Sequence, residues 1–202
     1  MGKFATYDDF EKAKLACCDC AVGEAYHCVV PSEGNKVDPT VVIVGEAPGA
    51  EEIEQGRPFI GRAGQLLREH LRPLNFTPDN TLITNTIPCR PLDNKYPADK
   101  KIVYECTQKW LWEELKMLEP RFVLVLGSKA LWTVMMLDGI TRCRGHWYTT
   151  ASLELESQCI ATFHPSYVMR KQNMADGEDV LNKFKSDLRQ MAVRAEFIEE
   201  NQ

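Results

Sequence analysis

Short apolar runs separated by helical segments are the feature that most limits how this chain can fold. VVIV at 41–44 and FVLVLG at 122–127 are apolar throughout, which is typical of strands buried on both faces of a parallel sheet. TLITN at 81–85 and QCIATF at 158–163 predict two further strands. Because helical segments alternate with these runs, the sequence predicts an α/β fold with a central, mainly parallel four-stranded sheet flanked by helices.

Apolar residues spaced three and four apart indicate the helices. The predicted helices cover residues 8–18, 61–74, 99–119, 128–137 and 178–194. The third of these should end at Pro120, because proline cannot continue a helix. Its buried side chains are predicted to be Trp110, Leu111, Leu115 and Leu118. Residues 31–40 are rich in turn formers and predict a connector.

Polar motifs follow three of the four predicted strands. GEAPG at 45–49 ends the first strand, Asn85 ends the second, and His164 ends the fourth. In open α/β sheets, ligands bind at the carboxyl ends of the strands. The sequence therefore predicts a binding or catalytic site where these three motifs converge on one edge of the sheet.

Composition limits the class of protein less sharply. The net charge of −5 argues mildly against a nucleic-acid partner, although a small basic face would be enough to contact phosphates. No apolar run approaches the length of about 18 residues that a transmembrane helix needs. The N-terminus has no apolar segment typical of a secretory signal. We therefore expect no membrane partner.

Four of the eight cysteines form two pairs that suggest a metal site. Cys17 and Cys20 have C-x2-C spacing, and 16 residues separate Cys89 from Cys106. In a chain without a secretory signal, clustered cysteines favour metal binding over disulfides. Four thiolates can hold a tetrahedral zinc ion or an iron–sulfur cluster, and the spacing leaves both open.

The other cysteines are interpreted in two ways. Cys18 and Cys28 lie close to the first pair and remain possible substitutes for a predicted ligand. Cys143 and Cys159 fit the role of small buried apolar side chains, and Cys159 lies within a predicted strand.

Four motifs closely resemble the family 4 uracil-DNA glycosylases, the iron–sulfur enzymes of bacteria, archaea and some phages. The motifs are GEAPGAEEIEQGRPFIGRAGQLL at 45–67, TNTIPCRP at 84–91, RGHWY at 144–148 and HPSYVMR at 164–170. The resemblance implies one glycosylase domain over residues 1–202 with a three-layer fold, which excises uracil from DNA. It also implies a 4Fe–4S cluster on Cys17, Cys20, Cys89 and Cys106, tying 17–20 to 89–106.

Two departures from the family pattern lie near the cluster and the loop rim. The stretch after Cys20 lacks the family's usual Leu and Arg, and Glu54 stands where a basic or polar residue is common. A related branch that bonds covalently to DNA has Gln in the first motif and a basic insertion before its histidine. This chain has Glu46 and no such insertion.

The resemblance implies catalytic roles for Glu46, Asn85 and His164. Cleaving the bond between deoxyribose and uracil generates a cationic sugar and a uracil anion. Asn85 can pair with uracil O4 and N3–H because its amide both donates and accepts. His164 would stabilise charge on uracil O2, and Glu46 would activate water or stabilise the sugar cation.

The remaining implied residues bind the base or the DNA. The uracil-binding residues would be Gly45, Ala47, Pro48, Gly49, Glu52, Phe59 and Asn85. Phe59 would stack on the base, whereas Glu52 could equally cap the helix near Gly61 or bind backbone amides. The DNA-binding residues would be Arg62, Pro165, Ser166, Val168, Met169 and Arg170. Val168, with Met169, would fill the gap left by the flipped base.

Two other functions compete with the glycosylase. One is a catalytically weak module that binds uracil-containing DNA alongside replication or repair proteins, and the other is a redox protein whose function is the cluster itself. The motifs at the strand ends favour the enzyme. We expect a cytoplasmic monomer in a prokaryotic or phage-infected cell, acting on single- or double-stranded uracil-containing DNA and releasing free uracil.

Overall fold

A computed structural model describes residues 3–20, 22, 29–149 and 156–200. Six strands in these ranges form one mixed sheet in the order β1-β3-β2-β4-β6-β5. The strands are β1 (Glu33–Gly34), β2 (Val41–Gly45), β3 (Thr81–Asn85), β4 (Phe122–Leu126), β5 (Trp147–Thr149) and β6 (Gln158–Thr162). The α/β fold predicted from the sequence is confirmed.

The four predicted strands form the parallel centre of the sheet. β2 pairs in parallel with β3 and β4, and β4 pairs in parallel with β6. β1 and β5 add one antiparallel strand at each edge, so the predicted count of four strands was too low. β1 lies in the stretch 31–40 that was predicted to be a connector.

Helices cover both faces of the sheet within the described ranges. They are α1 (Tyr7–Leu15), α2 (Ala50–Gln55), α3 (Arg62–Leu71), α4 (Lys100–Lys109), α5 (Leu111–Leu118), α6 (Gly127–Met135), α7 (Ile140–Cys143), α8 (Pro165–Lys171) and α9 (Gly177–Arg194). One core contains apolar side chains of α3, α8 and α9, and the other contains those of α5 and α6. No helix in the part of the chain that is described has the length and apolar character needed to cross a membrane.

The predicted helix over 99–119 is two helices in the structure. Trp110 separates α4 from α5, and its backbone leaves the helical region with φ −120° and ψ −62°. Trp110 is 2% exposed, so the apolar pattern runs through the break without interruption. Burial of Leu111, Leu115 and Leu118 agrees with the predicted core.

The sheet register brings the strand-end residues together. Gly45 at the end of β2 lies opposite Asn85 at the end of β3. On the other side of β2, Leu126 at the end of β4 lies opposite Thr162 at the end of β6. His164 follows two residues after Thr162 and begins α8 as its N-cap. All these residues lie at the same carboxyl edge of the parallel strands.

Candidate active site

A cavity of about 510 Å³ opens at the carboxyl edge of the parallel strands. Eleven of the residues predicted to act on base or DNA line it: Glu46, Ala47, Pro48, Gly49, Glu52, Phe59, Arg62, Asn85, His164, Ser166 and Arg170. The motifs from β2, β3 and β6 therefore converge on one pocket. Its walls combine an aromatic ring, an amide, an imidazole and a carboxylate.

Phe59 and Asn85 pack against the backbone of Gly45. A Cβ at Gly45 would lie 2.3 Å from Cζ of Phe59 and 2.6 Å from Oδ1 of Asn85. Only glycine leaves room for both side chains, so Gly45 shapes the pocket, and its contact with uracil stays a prediction. Phe59 has a φ of 53°, a left-handed conformation that residues other than glycine seldom adopt. Such backbone strain is concentrated at functional sites.

The amide oxygen of Asn85 lacks a partner in the part of the chain that the structure describes. The residue is 8% exposed, and its Oδ1 is buried without a hydrogen-bond partner among the described residues. A buried polar atom left unpaired costs about 1–3 kcal/mol, so proteins seldom retain one without a reason. Because Asn85 lines the cavity, a ligand that donates a hydrogen bond there would satisfy this oxygen.

Glu46 is held by its backbone while its carboxylate faces the pocket. Thr86 Oγ1 donates to the Glu46 carbonyl oxygen at 2.5 Å. Since that bond uses the only hydroxyl proton of Thr86, Tyr96 must be the donor in the 2.7 Å contact between the two hydroxyl groups. The motifs did not indicate Thr86 or Tyr96, although Thr86 directly follows Asn85.

Burial raises the pKa of the Glu46 carboxyl above its ordinary value, and the positive charges of Lys129 and Arg170 partly offset that increase. Arg170 lines the pocket and is a predicted DNA contact. Lys129, in the first turn of α6, is a cation that the motifs did not indicate. The site therefore holds a carboxylate whose ionisation depends on two nearby cations.

Glu52 binds the backbone rather than presenting a free carboxylate to the pocket. Its Oε2 accepts from the Gly49 amide at 3.0 Å, and its Oε1 accepts from the Gly61 amide at 3.0 Å. These bonds cap α2 and join it to the start of α3. The structure thus favours the capping alternative for Glu52 over direct contact with uracil.

His164 has a defined tautomer. Its Nδ1 accepts from the Ser166 amide at 3.2 Å and lies 2.8 Å from the Ser166 hydroxyl. Because Nδ1 accepts from an amide, the proton of the neutral ring is on Nε2, which is left as a donor. Burial, aided by the positive charge of Arg170, lowers the pKa of His164 to about 4. At neutral pH the site therefore holds an uncharged imidazole that can donate one hydrogen bond.

The predicted DNA-binding residues divide into two groups. Arg62, Ser166 and Arg170 line the pocket. Val168 is 0% exposed and belongs to the core that α8 shares with α3 and α9. Because its side chain is committed to the core, the prediction that Val168 fills a gap in the DNA is corrected. Pro165 is also buried, and Met169 is half-buried outside the pocket lining.

Two pocket residues, Pro91 and Asn94, come from the loop that follows β3 and were not predicted. Pro91 was within reach of sequence reasoning because it ends the TNTIPCRP motif. Asn94 carried no comparable signal, since its position depends on a left-handed turn with φ 56°.

The four predicted cluster cysteines lie near one another. None of the described cysteines forms a disulfide. Burial raises the pKa of Cys106, and the neighbouring Cys89, Cys20 and Cys17 raise it further. Cys18 is exposed and is not among these neighbours. Cys159 is buried in β6 as predicted, and Cys28 lies outside the described residues.

Comparison with known proteins gives a consistent result. Residues 31–189 match the family model described as the uracil DNA glycosylase superfamily. A type-4 uracil-DNA glycosylase of Pyrobaculum aerophilum is 36% identical over 160 residues, covering 77% of this chain and 80% of that protein. The type-4 enzyme of Thermotoga maritima is 36% identical over 152 residues, covering 72% of this chain and 73% of that protein.

A more distant relative is a type-5 uracil-DNA glycosylase of Pyrobaculum aerophilum, 28% identical with coverage of 79% of this chain and 82% of that protein. The matched region of the family model contains the six strands and the whole pocket lining. The chain belongs to the uracil-DNA glycosylase superfamily.

Proposed function

We propose that this protein hydrolyses the N-glycosidic bond of uracil in DNA as a type-4 uracil-DNA glycosylase, releasing free uracil and leaving an abasic site. The observation that carries the proposal is the buried Oδ1 of Asn85, which has no partner among the described residues and lies in a pocket shared with Phe59, Glu46 and His164. Relatives named type-4 uracil-DNA glycosylase support the same activity.

Recognition of the base would depend on Asn85 and Phe59. Uracil N3–H would donate to the buried Oδ1, and the amide nitrogen of Asn85 would donate to uracil O4. Cytosine presents the opposite pattern at these two positions and would leave both groups unsatisfied. The base reaches this pocket only after leaving the DNA stack, because its glycosidic bond is inaccessible within the duplex.

In bond cleavage, His164 would act on the departing uracil, and Glu46 would act on the attacking water or on the sugar. The bond between C1′ and N1 breaks, its electron pair goes to uracil, and Nε2–H of neutral His164 stabilises the charge on O2. A water molecule oriented by Glu46 attacks C1′, and the Glu46 carboxylate accepts its proton as the new C1′–O bond forms. The uracil anion takes up a proton from solvent when it is released. The carboxylate of Glu46 would alternatively stabilise the cationic sugar.

A direct test uses a uracil-containing oligonucleotide followed by alkaline cleavage at abasic sites. The proposal requires strand cleavage that depends on uracil and on the protein. A uracil-DNA-binding module would retard the oligonucleotide in a gel without cleaving it. A redox protein would do neither, so binding and cleavage measured on the same samples separate the three functions.

We further propose a 4Fe–4S cluster on Cys17, Cys20, Cys89 and Cys106. The donor set fits, because Cys106 and its neighbours Cys89, Cys20 and Cys17 form no disulfide and supply four thiols from three separate segments of the chain. No three His, Cys, Asp or Glu side chains in the described ranges are grouped closely enough to hold a single metal ion. Four cysteines are the usual ligand set of a cubane cluster, with one thiolate on each iron.

Protein purified without oxygen should be brown and contain about four irons per chain, the content of a cubane cluster on four cysteines. Cys89→Ser should reduce the soluble yield more than the rate per folded molecule, because none of the pocket-lining residues is a cysteine. Iron analysis and the visible spectrum provide the measurement. A colourless protein with one stoichiometric zinc would contradict the cluster.

Asn85→Asp should weaken excision of uracil, because a carboxylate cannot donate to O4. The variant should gain some activity on cytosine, whose N4 amino group can donate to the new carboxylate. Single-turnover rates on matched oligonucleotides with uracil or cytosine measure both effects. Unchanged kinetics on uracil would remove Asn85 from base recognition.

A further inference from the structure

An enzyme that rotates a base out of a duplex must stabilise the gap that the base leaves. Proteins commonly do so by inserting an apolar side chain between the neighbouring bases, which offsets part of the energy lost on unstacking. Such a side chain must be exposed beside the pocket before DNA binds. Val168 does not meet this requirement, because it is fully buried in the core.

The exposed large apolar side chains in the described part of the chain are few. They are Leu15, Val37, Leu92, Tyr104, Met136 and Met174. Of these six, Leu92 alone adjoins the pocket: Pro91 before it and Asn94 two residues after it line the cavity. Leu92 is 61% exposed, so most of its apolar side chain is in water.

The turn that carries Leu92 is held in one conformation. The Asn94 amide donates to the Pro91 carbonyl at 3.1 Å, and the Lys95 amide donates to the Leu92 carbonyl at 2.9 Å. Arg90 Nε donates to Oδ1 of Asn94 at 2.9 Å. Asp93 and Asn94 both have positive φ angles, of 52° and 56°. A strained turn fixed by these bonds holds Leu92 out from the surface at little further entropic cost on binding.

We propose that Leu92 is the side chain that enters the DNA stack when uracil occupies the pocket. This inference rests on the proposed glycosylase function and deepens it. Pro91 at the pocket wall places the turn beside the flipped nucleotide, where the gap forms. The turn lies between Cys89 and Cys106 in the chain, so the segment that anchors the proposed cluster also carries the wedge.

The test compares uracil in a duplex with uracil in a single strand under single-turnover conditions. Leu92→Ala should lower the duplex rate by about tenfold, because the gap is no longer filled. Its single-strand rate should stay within about twofold of the wild type, because no stack has to be opened. Met136→Ala is the matched control, since Met136 is also exposed but does not adjoin the pocket.

A second measurement reports flipping without chemistry. In the Glu46→Gln background, the fluorescence of 2-aminopurine placed next to uracil should rise on binding, and adding Leu92→Ala should reduce that rise.

Equal duplex rates for Leu92→Ala and wild type would overturn the proposal, as would an equal loss on both substrates. A duplex defect in Met169→Ala but not in Leu92→Ala would overturn it as well, assigning the wedge to α8. If the wild type fails to cut even single-stranded uracil, the glycosylase function is refuted. The fluorescence measurement would still test Leu92, because it reports flipping and needs no cleavage.

Discussion

Replacing Glu46 by Gln should lower the single-turnover rate of uracil excision by about 10²–10⁴, the usual loss when a general base is removed. The change preserves the size of the side chain and one acceptor oxygen, but it removes the charge and replaces the other oxygen with an NH₂ donor. Glu46 lines the pocket, and its carbonyl is fixed by Thr86, so the backbone that presents the side chain should not move. A rate unchanged within about threefold would exclude Glu46 from the chemistry.

The pH dependence gives this prediction a second readout. Because burial raises the pKa of Glu46, the wild-type rate should fall as the pH drops through that raised value and the carboxylate becomes protonated. Glu46→Gln should lack this decline. The positive charge of Lys129 lowers the pKa of Glu46, so Lys129→Gln should move the decline to higher pH. Lys183→Gln, on the exposed surface of α9, is the control and should leave the profile where it is.

The central sheet was predictable because its strands are apolar on both faces. Val41 to Val44 and Phe122 to Leu126 are all 0–1% exposed, so the apolar run itself marks each strand. β1 and β5 were not predictable in this way. They have two and three residues with half-buried or exposed side chains, and pairing with β3 and β6 rather than local sequence defines them.

The residues of the site were predictable where the chain reaches the end of a parallel strand. Asn85 ends one such strand and Glu46 directly follows another, and the register places Asn85 opposite Gly45, the residue before Glu46. The contacts of Glu52 were not predictable in this way, because its carboxylate binds two backbone amides that only the folded loop brings within reach. One of them, the Gly61 amide, lies nine residues along the chain from Glu52. Val168 was misassigned because a short helix has a buried face that seven residues of sequence do not reveal. Leu92 was missed because exposure beside a pocket is a property of the fold.

His164→Ala should lower the rate of uracil excision by about 10²–10³, the usual loss of one preorganised donor to a developing anion. The defect should depend on the leaving group, because Nε2–H acts on the charge that forms on the base. Excision of 5-fluorouracil, whose anion is more stable, should therefore recover part of the loss. Glu46→Gln should show nearly the same defect on both bases, since its effect is on the water or the sugar cation.

The protonation state of His164 simplifies the comparison between uracil and 5-fluorouracil. With a pKa lowered to about 4 by burial, His164 is uncharged from pH 5.5 upward, so its donor strength is constant over the range in which both substrates are measured. Any decline in the wild-type rate between about pH 5.5 and 7 then belongs to another group. Only a limb at about pH 6.5 that persists in Glu46→Gln and disappears in His164→Ala would contradict the buried, neutral imidazole. Equal penalties for His164→Ala on uracil and 5-fluorouracil, with the chemical step rate-limiting, would contradict the leaving-group role. His164 would then act only by capping α8 and packing beside Phe59, whose ring lies 6.2 Å from the imidazole.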